Sequence, residues 1–96
     1  MSNNIKKIKR HVYFSGNVQS LEFLTPDGKK ATIGVIMPGE YNFGTAKQKE
    51  TISVLQGMVF TKEGSLRPGG YPIVFEPGTK IIFSCPEPVA YLCLYG

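Results

Sequence analysis

No stretch of this chain holds a 3.6-residue apolar period for ten residues, so a helical core is excluded from the start. Short β-rich runs recur instead, each cut off by Gly or Pro. "NVQSLEFL" alternates through Val18, Leu21 and Phe23 with one slip in phase, and "TPDGKK" then supplies a turn. "ATIGVIM", "EYNFGTA", "TISVLQG", "MVFT", "PIVF", "KIIFSC" and "VAYLCLY" follow as further strands. The spacing predicts about eight or nine short strands in an all-β sandwich or barrel, in a chain with no repeat, linker or low-complexity segment.

Ninety-six residues make one domain with a limited core, which favours a homo-oligomer that shares apolar surface. No apolar run approaches the roughly 20 residues of a membrane helix, and "MSNNIKKIKRHVYF" lacks the apolar segment of a secretory signal. A cytoplasmic protein is expected, with Cys85 and Cys93 reduced. The net charge of +4 is concentrated in Lys6, Lys7, Lys9 and Arg10, so residues 1–11 read as a solvated basic tail and 12–96 as the barrel. Basic residues are not interleaved with aromatics as nucleic-acid binding requires.

Three stretches together carry a resemblance: "VYFSGNVQSLEF", "GVIMPGEYNFGTA" and "PEPVAYLCLY". In this order they resemble the small cupins called pyrimidine/purine nucleoside phosphorylases, from about Val12 to Tyr95. The resemblance implies a single-domain jelly-roll β-barrel, paired as a homodimer. The wider cupin pattern maps onto Gly39, Glu50, Gly57 and the Pro77-Gly78 turn. Its histidine positions fall near Thr45, Lys47 and Ile81 or Ile82, and the one histidine, His11, lies outside the motifs. Threonine and isoleucine do not replace imidazole, and a lysine ammonium repels a cation, so a metal-independent barrel is expected.

The resemblance further implies phosphorolysis of purine and pyrimidine nucleosides to free base and ribose 1-phosphate, with inorganic phosphate as co-substrate and no cofactor. Such a reaction needs an anion held next to a sugar, for which Lys47 and Lys49 beside the motif glutamate, and Arg67 and Lys80 near glycine turns, are candidates. It needs a carboxylate against the charge that develops on the sugar, for which cupin geometry nominates Glu50, with Tyr41 and Thr45 beside it. Broad base tolerance suits aromatic faces, and Tyr41 and Tyr91 are the expected lining residues. Cys93 reads as a packed thiol. The competing reading is a non-catalytic cupin that binds a small anion or sugar.

Overall fold

The computed structural model describes residues 8–96. Strand β1 (Lys9–Tyr13) leads through a 3-10 turn at Phe14–Gly16 to β2 (Val18–Leu24), and β3 (Lys30–Ile36) follows the Asp27-Gly28 turn. The middle of the chain forms β4 (Gly39–Thr45), β5 (Glu50–Gln56), β6 (Val59–Thr61) and β7 (Gly64–Leu66). The chain closes with β8 (Ile73–Phe75), β9 (Lys80–Cys85) and β10 (Val89–Tyr95). The ten antiparallel strands lie in two sheets, ordered β1-β2-β3-β10-β5-β8 and β4-β9-β6-β7, and make an all-β cupin barrel.

Two strands go beyond the sequence expectation. The short β7 lies between "MVFT" and "PIVF", where the sequence marked no strand. The expected tail also changes: Lys6 and Lys7 lie outside the described residues, but Lys9, Arg10 and His11 belong to β1 and pair with Glu22, Leu21 and Ser20 of β2. That stretch alternates in burial weakly, so its polarity conceals its ladder.

Between the sheets lies a core built from Val18, Ile36, Ile52, Val54, Val59, Leu66, Phe75, Ile81, Phe83 and Val89, each at most 5% exposed. Tyr41 completes one end of it, and its hydroxyl donates to the Met37 carbonyl at 2.8 Å. That bond ties β4 to the turn that precedes it and satisfies a polar group that burial otherwise penalises. Along β4 the register against β9 shifts between Asn42 and Thr45. Asn42 Oδ1 accepts from the Gly44 amide at 2.8 Å within this bulge, which re-aims the end of the strand towards the interior.

Gly57 ends β5 where the backbone passes under the "PEP" connection. Its φ is +83°, and a Cβ there would lie 2.2 Å from the Pro88 carbonyl oxygen. Both the left-handed backbone and the contact require glycine. Gly57→Ala is expected to lose about 2–4 kcal/mol in urea unfolding, and a loss under about 0.5 kcal/mol would contradict this account of the packing.

Candidate active site

Antiparallel register stacks the inward side chains of the large sheet in rows. One row runs from His11 through Ser20 and Gly34 to Tyr91. The next runs from Glu22 through Thr32 and Cys93 to Ile52. In the last, Tyr95 pairs with Glu50, and Lys30 lies one step beyond the Ala31–Leu94 pair. Gly34 lets the first row close, because a Cβ on it would come within 2.8 Å of the Ser20 Cβ.

These rows and the small sheet enclose a cavity of about 370 Å³, within the roughly 300–1,000 Å³ of small-molecule sites. Asn42, Phe43, Thr45 and Ala46 of the β4 segment and Ile81 and Phe83 of β9 form the opposite wall. Tyr13 and Phe14 stand at the mouth, 48% and 42% exposed. Phe14 and Ser15 take φ of 53° and 57°, unusual for residues with a Cβ. The turn holds the Phe14 ring 5.1 Å from the Tyr41 ring and 5.6 Å from Phe43, edge to face.

Charge in the cavity is arranged on the large sheet alone. His11 Nε2 lies 2.9 Å from Glu22 Oε1, and this hydrogen bond holds the Glu22 carboxyl below its ordinary range. Glu50 is pushed the other way: burial raises its pKa above the usual 4.5, against the opposing pull of the Cys93 hydrogen bond and the Lys30 charge. The Cys93 thiol donates to Glu50 Oε1 at 3.5 Å. Burial, with the Glu50 charge second, pushes that thiol up to about 12, so it is a neutral packed group and not a nucleophile. Burial also raises Tyr91 and Tyr95, which stay neutral hydrogen-bonding phenols. Lys30 Nζ sits 4.2 Å from the centroid of the Tyr95 ring.

The sequence-nominated residues divide in two. Glu50, Thr45 and Tyr91 line the cavity together. Tyr41 does not line it, because its hydroxyl is spent on the Met37 carbonyl. Lys47, Arg67 and Lys80 are exposed and lie outside the lining, where a hydrated ammonium or guanidinium is most stable. Sequence reasoning passed over His11, Glu22, Lys30, Ser20 and Thr32. The signal was present in parity: on β2, Ser20 and Glu22 share a face with the buried Val18, and the slip noted there marks a polar stretch of inner face.

A family model described as pyrimidine/purine nucleoside phosphorylase matches residues 8–95. The chain belongs to that family. A pyrimidine/purine nucleoside phosphorylase from Rhodopirellula baltica is 38% identical over 89 residues, covering 88% of this chain and 95% of that protein. One from Leptospira interrogans is 43% identical over 60 residues, which span 62% of this chain and 56% of that protein's length. Among solved structures, a protein of unknown function from Vibrio parahaemolyticus superposes with a TM-score of 0.84 at 30% identity, covering 93% of this chain and 98% of that one. Membership in the pyrimidine/purine nucleoside phosphorylase family thus takes in β1, and with it His11, as well as the barrel motifs.

The raised Glu50 pKa has a consequence for stability. The folded protein holds the Glu50 proton more tightly than the unfolded chain, so stability falls as pH rises through the raised value. Ionised Glu50 therefore weakens the fold near neutrality, and the penalty is absent once both states are protonated. Glu50→Gln is expected to melt higher than the wild type at pH 7–8, with the gap closing below about pH 4. A variant that melts lower at pH 8 than the wild type would show that Glu50 is held by a stabilising pair instead.

Proposed function

We propose that the protein is a metal-independent, broad-specificity nucleoside phosphorylase, a pentosyltransferase that converts purine and pyrimidine nucleosides and phosphate to free base and ribose 1-phosphate. The observation that carries the reading is family membership across residues 8–95, the same residues that build the cavity. In this reading a phosphate oxygen attacks the anomeric carbon as its bond to the base nitrogen breaks, and the bonding pair leaves with the base. Glu50 faces the sugar, accepts hydrogen bonds from its hydroxyls and stabilises the positive charge that grows on the ring. Phe43, Tyr91 and Tyr95 offer aromatic surface, which suits any nucleobase because every base has a π face.

Metal independence is supported by the donor set. Thr45 and Ile81 line the cavity at positions where imidazoles would stand, and among the described residues no three His, Cys, Asp or Glu side chains gather as metal ligands. A cytoplasmic location belongs to the same proposal, in keeping with free buried thiols at Cys85 and Cys93. No helix among the described residues is long and apolar enough to cross a membrane.

The alternative is a barrel that binds a small ligand without turnover, since Lys47, Arg67 and Lys80, nominated to hold the co-substrate phosphate, stand outside the cavity. Chromatography of uridine and adenosine incubated with the protein in chelator, with and without phosphate, separates the readings. Phosphorolysis predicts base and pentose 1-phosphate only where phosphate is present, and a rate about 10²–10³-fold lower in Glu50→Gln. Unchanged nucleosides across several purines and pyrimidines, with thermal stabilisation by ligand, would give the alternative.

The proposed homodimer rests on the outer face of the large sheet. Val12, Leu21, Ile33, Val35, Leu55 and Leu94 point outward at 40–48% exposure. They form an aliphatic patch of the kind that marks protein–protein contact surfaces. Arg10 is the only charged side chain among the described outward positions of β1, β2, β3, β10 and β5. A shallow hollow between Leu21, Ile33, Val35 and Leu55, floored by Gly34 and Ala90, lies beside the ridges that would fill it on a two-fold mate. Light scattering is expected to give a dimer at micromolar concentration and a folded monomer for Leu55→Glu; a monomeric wild type would remove the proposal.

A further inference from the structure

We propose that Lys30 is the anion-binding residue of this cavity and that Glu50 beside it makes the site selective for inorganic phosphate over sulfate. The role in turnover rests on the phosphorylase reading; the binding site does not. Among the described residues that line the cavity, Lys30 carries the ammonium, and the His11 imidazole is engaged by Glu22. Lys30 forms no ion pair among the described residues. Its ammonium rests on the face of Tyr95, a contact that fixes its position and leaves N–H donors free.

The neighbours of Lys30 say which anion fits. Its charge acts on both cavity carboxylates, Glu22 and Glu50. Glu22 has a hydrogen-bond partner in the His11 ring at 2.9 Å. Among the described residues Glu50 forms no ion pair, and the weak Cys93 thiol is its one side-chain hydrogen-bond donor. The carboxylate beside such an ammonium repels an anion oxygen that carries no proton. It welcomes one that brings a proton of its own, because the carboxylate then accepts a hydrogen bond where it would otherwise face a bare oxygen. At neutral pH every phosphate ion retains a P–OH and sulfate retains none. The Lys30–Glu50 pair is therefore chemically matched to phosphate, and Thr32 and Tyr95 place hydroxyls in the same cavity for the remaining oxygens.

The site also accounts for the position of the exposed cations. Lys47 and Lys80 act on an approaching anion only through water, whereas Lys30 meets it inside a partly desolvated cavity where charge-assisted hydrogen bonds are strongest.

Calorimetric titration with sodium phosphate and with sodium sulfate at pH 8 and matched ionic strength, without nucleoside, tests this. The wild type is expected to bind phosphate more tightly than sulfate. Lys30→Met should lose about 10- to 100-fold in phosphate affinity, the range for a lost hydrogen bond to a charged group. Lys30→Arg keeps the charge and should stay within about threefold, and Lys30→Gln serves where the Met variant does not fold. Glu50→Gln should narrow the phosphate preference about tenfold by removing the charge that repels sulfate. Equal affinity of the wild type for both anions, or wild-type phosphate affinity in Lys30→Met, would overturn the proposal, as would the same loss appearing in Lys47→Ala or Lys80→Ala. Phosphate binding without base release would sink the phosphorylase reading and leave this site standing. Base release with an unchanged phosphate KM in Lys30→Met would do the reverse.

Discussion

Everything in this molecule depends on β10 lying between β3 and β5 with Tyr91–Leu94 in fixed register against both. The ladder pairs Cys93 with Thr32 on one side and with Ile52 on the other. Because side chains alternate along a strand, this register alone puts Tyr91, Cys93 and Tyr95 inside and Ala90, Leu92 and Leu94 outside. A slip of one residue would exchange the two sets, burying Leu94 where the Glu50 carboxylate now meets a thiol and exposing the aromatic floor. The cavity is a consequence of strand pairing before it is a consequence of any special residue.

The same sheet is unusual in what it puts on each face. Its interior carries Ser20, Thr32, Glu22, Lys30 and Glu50, while much of its exterior is aliphatic. In a domain of this size the apolar surface available for a core is small, and part of the interior is given to a polar cavity. The burden shifts to the cluster around the cavity, where Val18, Ile36, Val89, Phe75 and Phe83 fill the space between the sheets. It also explains why an aliphatic outer face would serve the fold: covering it on a second copy recovers burial that the cavity forgoes. Glu50 shows the local form of this exchange, since burial disfavours the charged form that a sugar- or phosphate-binding site uses.

Strand content was legible in the chain because alternation and Gly/Pro punctuation act locally. "KIIFSC" and "VAYLCLY" became β9 and β10 with little adjustment. The barrel motifs also led to Glu50, Thr45 and Tyr91, which do line the cavity. What the chain hid was the meaning of polar residues at inward positions. "KRH" reads as the end of a tail by charge, yet it opens an edge strand whose inward His11 meets Glu22 eleven residues on. Lys30 reads as the end of a turn, yet it opens β3 under the Tyr95 ring. Tyr41 shows the opposite error: an inward aromatic hydroxyl found its partner in a turn carbonyl and never reached the cavity. Such pairings are set by long-range register, which no local pattern encodes.

The positions where a cupin would place metal ligands give the last step. Thr45 and Ile81 sit on the small-sheet wall, facing the cavity with one hydroxyl and one alkyl group. Lys47 has left the cavity altogether, and only Glu50 keeps a charge-bearing role, from the large sheet. Nearly all the remaining chemistry, from His11 to Tyr95, stands on that same sheet. Here one wall is mostly apolar and the other polar, an arrangement that suits a flat ligand with a hydrophobic face and a hydroxylated or anionic edge. A base stacked towards Phe43 and Phe83, with its sugar turned to Glu50 and an anion at Lys30, satisfies both walls at once, whereas a free sugar or a lone anion would leave the aromatic wall unused.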